Sequence, residues 1–501
     1  MAKKNLKKYL KKYWLVLVFI LVIFLRLPSL FEPFTYGDEG IYLALGQAAR
    51  RGLVFYRDIH DNKPPMLYLL AGLAGDFSSY RLTAFFWSLA TIFVFYQLSK
   101  LLFKKNLPAI ITATTIFAFL TSIHTFEGNV ANAENFMLLP TIAAFYLIAK
   151  KGFDKKTHLL KNAKIWLLAG ILLGLATLFK VPAAFDFIAI GALLFIAFFK
   201  ERKKNYTRYA VRYTLLLIGF FLPILLTLIY YTSQGALNQY LIAAFFQNLP
   251  YLSSWAGGQS QAGGFPLLIV LRAWVVALLI MLLFLFRKKI SFRTQLIFAW
   301  FGFSWFAVLL SSRPYPHYLI QVLPALSFSF GLLFVKGKGF LIERAVPATL
   351  LVVFVATFYG FQFWSYPSLP YYFNFYQFAL RGKSQQEYFN DFDGRANSIY
   401  QVADYLQVHT IPYERIFIWG NIPFIYPLAR RLPTGRYTVA YHIIDFNGHQ
   451  ETIAELQELN PRYIIVDPQE KRPFPKFFLW LEQRYFLAKQ IGDFQIFHRL
   501  L

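Results

Sequence analysis

The feature that most constrains this chain is a series of about eleven apolar runs. Each is at or near the roughly 17–25 residues that carry a helix across a bilayer. They cover Tyr13–Leu27, Leu82–Leu102, Pro108–Ser122, Asn135–Ile148, Ile165–Phe179, Pro182–Phe199, Tyr213–Tyr231, Phe265–Phe286, Thr294–Leu310, Tyr318–Val335 and Ala345–Phe361. The gaps between them alternate in charge. "MAKKNLKKYLKK", "FKKN", "KKGFDKKTHLLKNAK", "KERKKNYTRYAVR", "RKKISFR" and "VKGKGFLIER" are basic. The intervening gaps carry almost no Lys or Arg, as the positive-inside rule requires. One missed or invented span would break the alternation. It places the N-terminus in the cytoplasm and, with an odd number of spans, the C-terminus outside. The first outer loop, Pro28 to Arg81, is the exception, being mixed in charge. Its arginines and Lys63 therefore want another role, such as holding a phosphate.

Composition agrees with a polytopic α-helical membrane protein. The 501 residues are 57% hydrophobic and 15% charged, against about 45–50% and 25% in soluble domains. The formal charge of +26 lies between apolar runs, which argues against nucleic acid as a partner. There is no cysteine, so disulfides and thiol chemistry are excluded. The N-terminal run could pass for a signal peptide, but "FLRLPSLFEPF" offers no small-residue cleavage site. It reads as an uncleaved first helix. From about Gln362 the chain turns polar. Short β-like runs, "RIFIWG", "RYIIVD" and "FQIFHR", alternate with helical patterns such as "SIYQVADYLQVH" and "ETIAELQELN". This predicts a small α/β domain.

Candidate chemistry gathers in the outer loops. Asp38 and Glu39 stand side by side in "FTYGDEGIYLALGQAARRG", after Pro28 and Pro33 end the first span. The stretch predicts an amphipathic helix lying in the interface, with Ile41 and Leu45 on one side and Gln47, Arg50 and Arg51 on the other, stopped at Gly52. Two readings of the acids stay open: a helix start favoured by the dipole, or a reactive pair. "YRDIHDNKPPMLYLL" adds Asp58, His60, Asp61 and Lys63. It is either a solvated turn held by Pro64 and Pro65 or part of a reactive site. There acids deprotonate an acceptor or hold a divalent metal ion, and the lysine meets a phosphate. "HTFEGNVANAENF" supplies Glu127, Asn132 and Glu134, and "SSRPYPHYLIQVLPAL" supplies Arg313 and His317. Arg313 suits a lipid-linked phosphate or an interfacial anchor. His317 suits a second phosphate donor or a hydrogen-bonded interfacial residue.

These residues resemble the GT-C membrane glycosyltransferases. The group is that of the bacterial relatives of the dolichyl-phosphate-mannose protein mannosyltransferases and the lipid A aminoarabinose transferases. The resemblance rests on the Asp-Glu pair after the first span, the helix behind it, "NKPPMLYLL" before the second span, an acidic second loop and "RPYPHYLIQVLPAL". It covers about residues 10–360. It implies a GT-C catalytic domain over 1–361, with 362–501 as the extracytoplasmic α/β domain. It implies a polyprenyl-phosphate sugar donor, and an acceptor that is a glycan, lipid or protein. Transfer would occur at the outer face of a multi-pass plasma-membrane protein of the cell envelope. Asp38 falls on the family's catalytic base, with Glu39 supporting it. Lys63 falls near the donor phosphate, and Glu134 best matches the second-loop acid. Asp61, His60, Arg313 and His317 complete the expected substrate-binding set. Some relatives carry a metal-associated Glu where this chain has Asn62, which leaves the metal open. Attack by the acceptor hydroxyl would invert the anomeric carbon. The alternatives are a transporter, for which Asp186 with Lys180 beside it is the one deep candidate, or a non-catalytic envelope assembly protein.

Overall fold

A computed structural model of the chain describes residues 2–152, 159–200, 206–249, 255–256, 259–260, 267–311, 313–335 and 340–500. Contacts divide it into two compact units. One comprises Met1–Leu27, Ala84–Ile229 and Asn248–Ser368, and the other Pro28–Thr83, Tyr230–Gln247 and Leu369–Leu501.

The first unit is helical. Its elements are α1 (Ala2–Arg26), most of α4 (Phe77–Phe103), α5 (Leu107–Leu120), α6 (Ala133–Leu147), α7 (Leu159–Phe179), α8 (Ala184–Lys200), α9 (Tyr206–Ser233), α11 (Leu267–Leu285), α12 (Phe292–Val308), α13 (Leu323–Leu332) and α14 (Phe340–Gly360), with a two-residue ladder of β1 (Trp255–Ala256) on β2 (Gln259–Ser260). A helix lies over every apolar run read from the sequence. Four stretches, Lys12–Leu30, Phe77–Phe103, Val181–Phe199 and Tyr206–Ser233, are long and apolar enough to cross a membrane by themselves, and shorter apolar helices accompany them. This is a multi-pass membrane protein. The run Tyr318–Val335 is not one helix. It opens as a 3-10 turn, Pro316–Val322, and continues as the ten-residue α13, because Pro316 and Pro324 each withhold a backbone donor.

Aromatic stacks fill this unit's core. Phe95 lies 4.0 Å from Phe117 and 4.2 Å from Phe328, and Phe145 lies 3.7 Å from Trp300. Gly170 and Gly174, one turn apart on α7, meet the backbone of α9. Close approach through small residues is how helices pack where lipid removes the hydrophobic drive. Asp186 is buried and accepts from Trp300 Nε1 at 2.9 Å and Gln321 Nε2 at 3.0 Å. Lys180 turns elsewhere, so the expected Asp186–Lys180 pairing is corrected.

The second unit joins the stretch Pro28–Thr83 to the C-terminal residues. That stretch supplies α2 (Gly37–Arg50), α3 (Met66–Ala74) and the start of α4; α10 (Leu237–Ala244) follows from the middle of the chain. The C-terminal residues supply α15 (Ser368–Ala379), α16 (Gln385–Asn390), α17 (Ala396–His409), α18 (Ile425–Ala429), α19 (Ala440–Asp445), α20 (His449–Leu459) and α21 (Pro475–Arg484). A five-stranded sheet is built from β3 (Arg415–Trp419), β4 (Leu432–Pro433), β5 (Tyr463–Val466), β6 (Tyr485–Ile491) and β7 (Phe494–Arg499), in the order β4-β3-β5-β7-β6. β3 is parallel to β4 and β5, and β7 is antiparallel to β5 and β6. β3 ends at Gly420, whose carbonyl accepts from Ala440 N at 3.0 Å, and Asn421 Oδ1 accepts from Tyr441 N at 3.2 Å. The sheet thus fixes the start of α19.

α2 spans the predicted helix and turns at Gly52, where φ is +85°. Ile41 and Leu45 are buried and Arg50 and Arg51 exposed, as the two-sided pattern predicts, but the buried side is wider. Residues Glu39 to Gly46 are all buried, because small residues let backbones close in on it. A Cβ on Gly46 would lie 2.4 Å from the Gly72 nitrogen of α3, and one on Gly40 would lie 2.7 Å from the Phe424 nitrogen. Arg51 donates to the Pro412 and Arg430 carbonyls, both at 2.9 Å. The C-terminal residues therefore clasp α2 along its length.

Candidate functional site

The two adjacent acids meet opposite surroundings. Successive residues of a helix point about 100° apart, so the Asp38 and Glu39 side chains leave α2 in different directions. The residue preceding α2 is Tyr36, which makes no side-chain cap, and the acids occupy the first turn.

Glu39 faces inward and is 1% exposed. Arg81, at the start of α4, donates from Nε to Glu39 Oε2 at 2.9 Å. The other guanidinium nitrogens reach the carbonyls of Ser29, Glu32 and Pro33, and the Glu32 carboxylate lies 3.7 Å away. Tyr371 donates to Glu32 Oε2 at 2.9 Å. One guanidinium thus faces two buried carboxyls. Burial, against the pull of Arg81, raises the Glu32 pKa from 4.5 to about 7.

Asp38 faces outward, its side chain 31% exposed. Its Oδ2 accepts from Tyr42 at 2.8 Å, one helical turn on, and lies 3.4 Å from Lys63 Nζ. Burial and the Asp38 charge push the Tyr42 phenol well above its ordinary range. Lys63 also lies 3.9 Å from Asp61 Oδ2 and 5.0 Å from the Tyr42 ring centre. Asp61 is 1% exposed. Its Oδ1 accepts from Asn62 N and its Oδ2 from Tyr68, both at 2.8 Å. The lysine's main chain is pinned as well. Its N–H donates to Tyr68 at 2.9 Å, and its carbonyl accepts from Tyr56 at 2.8 Å. Tyr56 is fully buried at φ +70°, a left-handed conformation that a bulky residue adopts only under constraint. Tyr231, Tyr240 and Tyr68 pack around its ring.

Several other groups of the loop are engaged in contacts within this unit. Arg57 pairs with Asp58 at 2.7 Å, and that pairing lowers the Asp58 pKa. With Arg51 on carbonyls and Arg81 on Glu39, these three arginines have the structural roles that the sequence did not assign. His60 is 1% exposed, and its N–H donates to the Arg436 carbonyl at 2.9 Å. Its ring nitrogens have no hydrogen-bond partner among the described residues, and the ring packs against Tyr437, His442 and Phe446. Burial drives its pKa well below the usual value. His442, on α19, places Nε2 3.7 Å from Asp61 Oδ1. Burial and the nearby Lys63 charge push it down to about 3. Among the described residues, no three His, Asp or Glu side chains are arranged to hold a metal ion.

The first unit brings together the other expected residues. His317 Nδ1 meets Glu127 Oε2, and its Nε2 lies 3.7 Å from Glu134 Oε1. Lys180 pairs with Glu134, with its ammonium 3.7 Å from the Tyr318 ring centre. Burial alone would lower the His317 pKa, but Glu134 and Glu127 outweigh it and raise it. The Tyr315 ring stacks on His317 at 5.6 Å. Glu127 occupies a left-handed position, φ +55°, and Asn132 caps α6 by accepting from Asn135 N at 3.2 Å. Arg313 is half-buried and donates its N–H to Ser311 at 3.3 Å. The sequence reading missed Lys180 here, and Arg81, Glu32, Tyr371 and His442 in the second unit. An isolated charge in a charge-poor stretch was the available signal for Arg81 and Lys180.

The sequence model of the dolichyl-phosphate-mannose-protein mannosyltransferase family matches residues 71–242. No curated protein sequence matches. Among solved structures, the chain resembles ArnT from Cupriavidus metallidurans bound to undecaprenyl phosphate, with a TM-score of 0.57 at 13% identity, covering 97% of this chain and 98% of that one. ArnT in the apo state matches with a TM-score of 0.54, again at 13% identity, over 98% of each chain. The archaeal oligosaccharyltransferase AglB from Archaeoglobus fulgidus gives 0.49 at 14% identity, over 97% of this chain and 74% of that one. The fold is that of the ArnT structures, and the resemblance to the mannosyltransferase and aminoarabinose transferase group is upheld.

Proposed function

We propose that this protein is a glycosyltransferase that moves a sugar from a polyprenyl-phosphate donor to an acceptor hydroxyl on the extracytoplasmic side of the membrane, with inversion. The observation that carries the reading is the split between the two acids. Glu39 is consumed by Arg81, whereas Asp38 is half-exposed and 3.4 Å from a half-exposed lysine. A carboxylate beside a cation, both reachable from outside, suits a reaction between a hydroxyl and a phosphate-bearing carbon. The ArnT structure with undecaprenyl phosphate supports a polyprenyl phosphate as the lipid part of the donor.

In this mechanism Asp38 accepts the acceptor's hydroxyl proton as its oxygen attacks the anomeric carbon. The bond to the phosphate oxygen breaks on the opposite face, and its electron pair leaves with the polyprenyl phosphate. Lys63 neutralises the charge that develops there. A phosphate leaves without a strong general acid, unlike the alkoxide of glycoside hydrolysis. Glu39 orients the helix that carries Asp38, through Arg81. Asp61 sets Lys63 through Tyr68. In the first unit, Glu134, His317 and Arg313 are proposed substrate ligands.

The test is transfer of label from a panel of radiolabelled polyprenyl-phosphate sugars in the host's own membranes. Wild type should form labelled product with one donor. Asp38→Asn should lower the rate by about 10²–10⁴-fold, the usual contribution of a positioned base, with an unchanged melting temperature. A fully active Asp38→Asn enzyme would remove the base from the mechanism.

A further inference from the structure

α15 follows the apolar helix α14 after only the seven residues "FQFWSYP". It has no charged residue in "SLPYYFNFYQFA", and its two sides differ sharply. Tyr371, Asn374 and Phe375 are buried. Tyr371 donates to Glu32, Asn374 donates to the Tyr388 carbonyl at 3.1 Å, and the Phe375 ring lies 5.6 Å from that of Phe31. On the other side Leu369 is 84% exposed, Phe373 66% and Leu380 82%, with Tyr376 at 36%. These four positions recur at spacings of four, three and four, so Leu369, Phe373 and Tyr376 form one stripe along the helix and Leu380, the residue just after it, continues the line. Phe31, which follows the first span by a few residues, is beside the helix and 49% exposed. Arg381, just past the helix, is exposed too.

We propose that α15 is an interfacial helix whose Leu369–Phe373–Tyr376–Leu380 stripe is seated in the headgroup region of the bilayer. Three observations select lipid as the occupant. The helix is joined within seven residues to the apolar helix α14, and its neighbour Phe31 directly follows Lys12–Leu30, a stretch long and apolar enough to cross a membrane. The stripe is Leu, Phe and Tyr, the composition of a face that enters the acyl boundary. The flanking Arg381 suits an anionic lipid surface. The buried side then has a consequence, which rests on the function proposed above. Tyr371 holds Glu32, Glu32 faces Arg81, and Arg81 holds Glu39 next to Asp38. Seating α15 at the membrane surface sets the depth of that acid against lipid phosphates.

The chain has no cysteine, so single cysteines can be introduced for labelling. Nitroxide labels at Leu369→Cys, Phe373→Cys and Leu380→Cys are compared with controls at the exposed Gln385→Cys and Gln401→Cys. The protein is reconstituted in nanodiscs of phosphatidylethanolamine and phosphatidylglycerol. The stripe labels should be relaxed more by oxygen than by a water-soluble nickel chelate, and the controls the reverse. An environment-sensitive fluorophore at the same sites should be quenched by lipids brominated near the glycerol end of the acyl chain. Stripe labels as open to nickel as the controls would overturn the proposal. So would spin–spin broadening between stripe labels that vanishes on dilution with unlabelled protein, which would make the occupant a second copy of the chain. Neither readout depends on transferase activity.

Discussion

Replacing Glu32 by Gln tests the charge balance behind the acidic helix start. Arg81 faces two buried carboxyls, Glu39 at 2.9 Å and Glu32 at 3.7 Å. The nearer one satisfies the guanidinium, and desolvation then holds a proton on Glu32, raising its pKa from 4.5 to about 7. Between pH 4.5 and about 7 the folded protein keeps this proton while the unfolded chain releases it. Stability rises with pH only where the unfolded state binds more protons, so here it falls. The contribution is complete below pH 4.5, is lost as pH rises through about 7, and is flat above. A displacement of this size corresponds to about 3 kcal/mol. Gln keeps the shape and stays neutral at every pH. Glu32→Gln should therefore match wild type near pH 4.5 and exceed it by up to about 3 kcal/mol at pH 8. The assay is urea unfolding in detergent micelles followed by tryptophan fluorescence, from pH 4 to 9. Taking the difference between the two proteins cancels every group they share. A flat difference curve, or a variant less stable than wild type at pH 8, would refute the reasoning. It would mean that Glu32 is ionised and that its contact with Arg81 is a stabilising ion pair.

Two further expectations follow from close contacts in the second unit. Gly46→Ala drives a Cβ against the backbone of Gly72, which cannot rotate away, so α2 and α3 must separate. A loss of about 1–3 kcal/mol is expected, read by the same unfolding assay. Gly37→Ala, which meets nothing within 4 Å, should be silent. Tyr56→Phe removes the hydrogen bond to the Lys63 carbonyl while leaving the ring packed. Worth about 1 kcal/mol, the loss should raise KM for the lipid-linked donor about fivefold with a small change in kcat. An unchanged KM would show that this bond does not position Lys63.

What the sequence disclosed about the site followed from distance along the chain. Asp38, Asp61 and Lys63 lie within one loop, so a local motif carries them together, and the structure places the lysine between the two acids. Tyr371 and His442 join the same loop from more than 300 residues away, and no periodicity in their own segments points back to it. Lys180 shows the limit from the other side. Chain proximity suggested Asp186, but a lysine that starts a 3-10 turn in extended conformation points away from the helix behind it, and it meets Glu134 instead. α2 is buried more widely than its two-sided pattern predicts, because its small residues let neighbouring backbones close in. Gly40, Ala44, Gly46 and Ala48 are the mark of a helix gripped on more than one side.

The sheet divides in the same way. Strands buried on both faces read as unbroken apolar runs, so β3 and β5 were legible in "RIFIWG" and "RYIIVD". β6, in "YFLAKQI", is an edge strand, and its five central residues are all exposed. Exposure frees an edge strand from the apolar pattern, and a lysine there helps to discourage pairing with another chain. Its register comes from β7, with which it pairs from Tyr485–Arg499 to Ile491–Phe494 around a shift at Leu487. β4 is two residues long, Leu432–Pro433, too short to carry any period. Its position follows from the turn that ends at Arg431, where the guanidinium donates to Thr410 and to the carbonyls of Gln407, Ala429 and Arg430. The same Arg430 carbonyl accepts from Arg430's neighbour and from Arg51 at the end of α2. The edge of the sheet that the sequence left blank is thus where the end of α2 is tied down, and its arginines could be assigned only once the carbonyls they hold were in place.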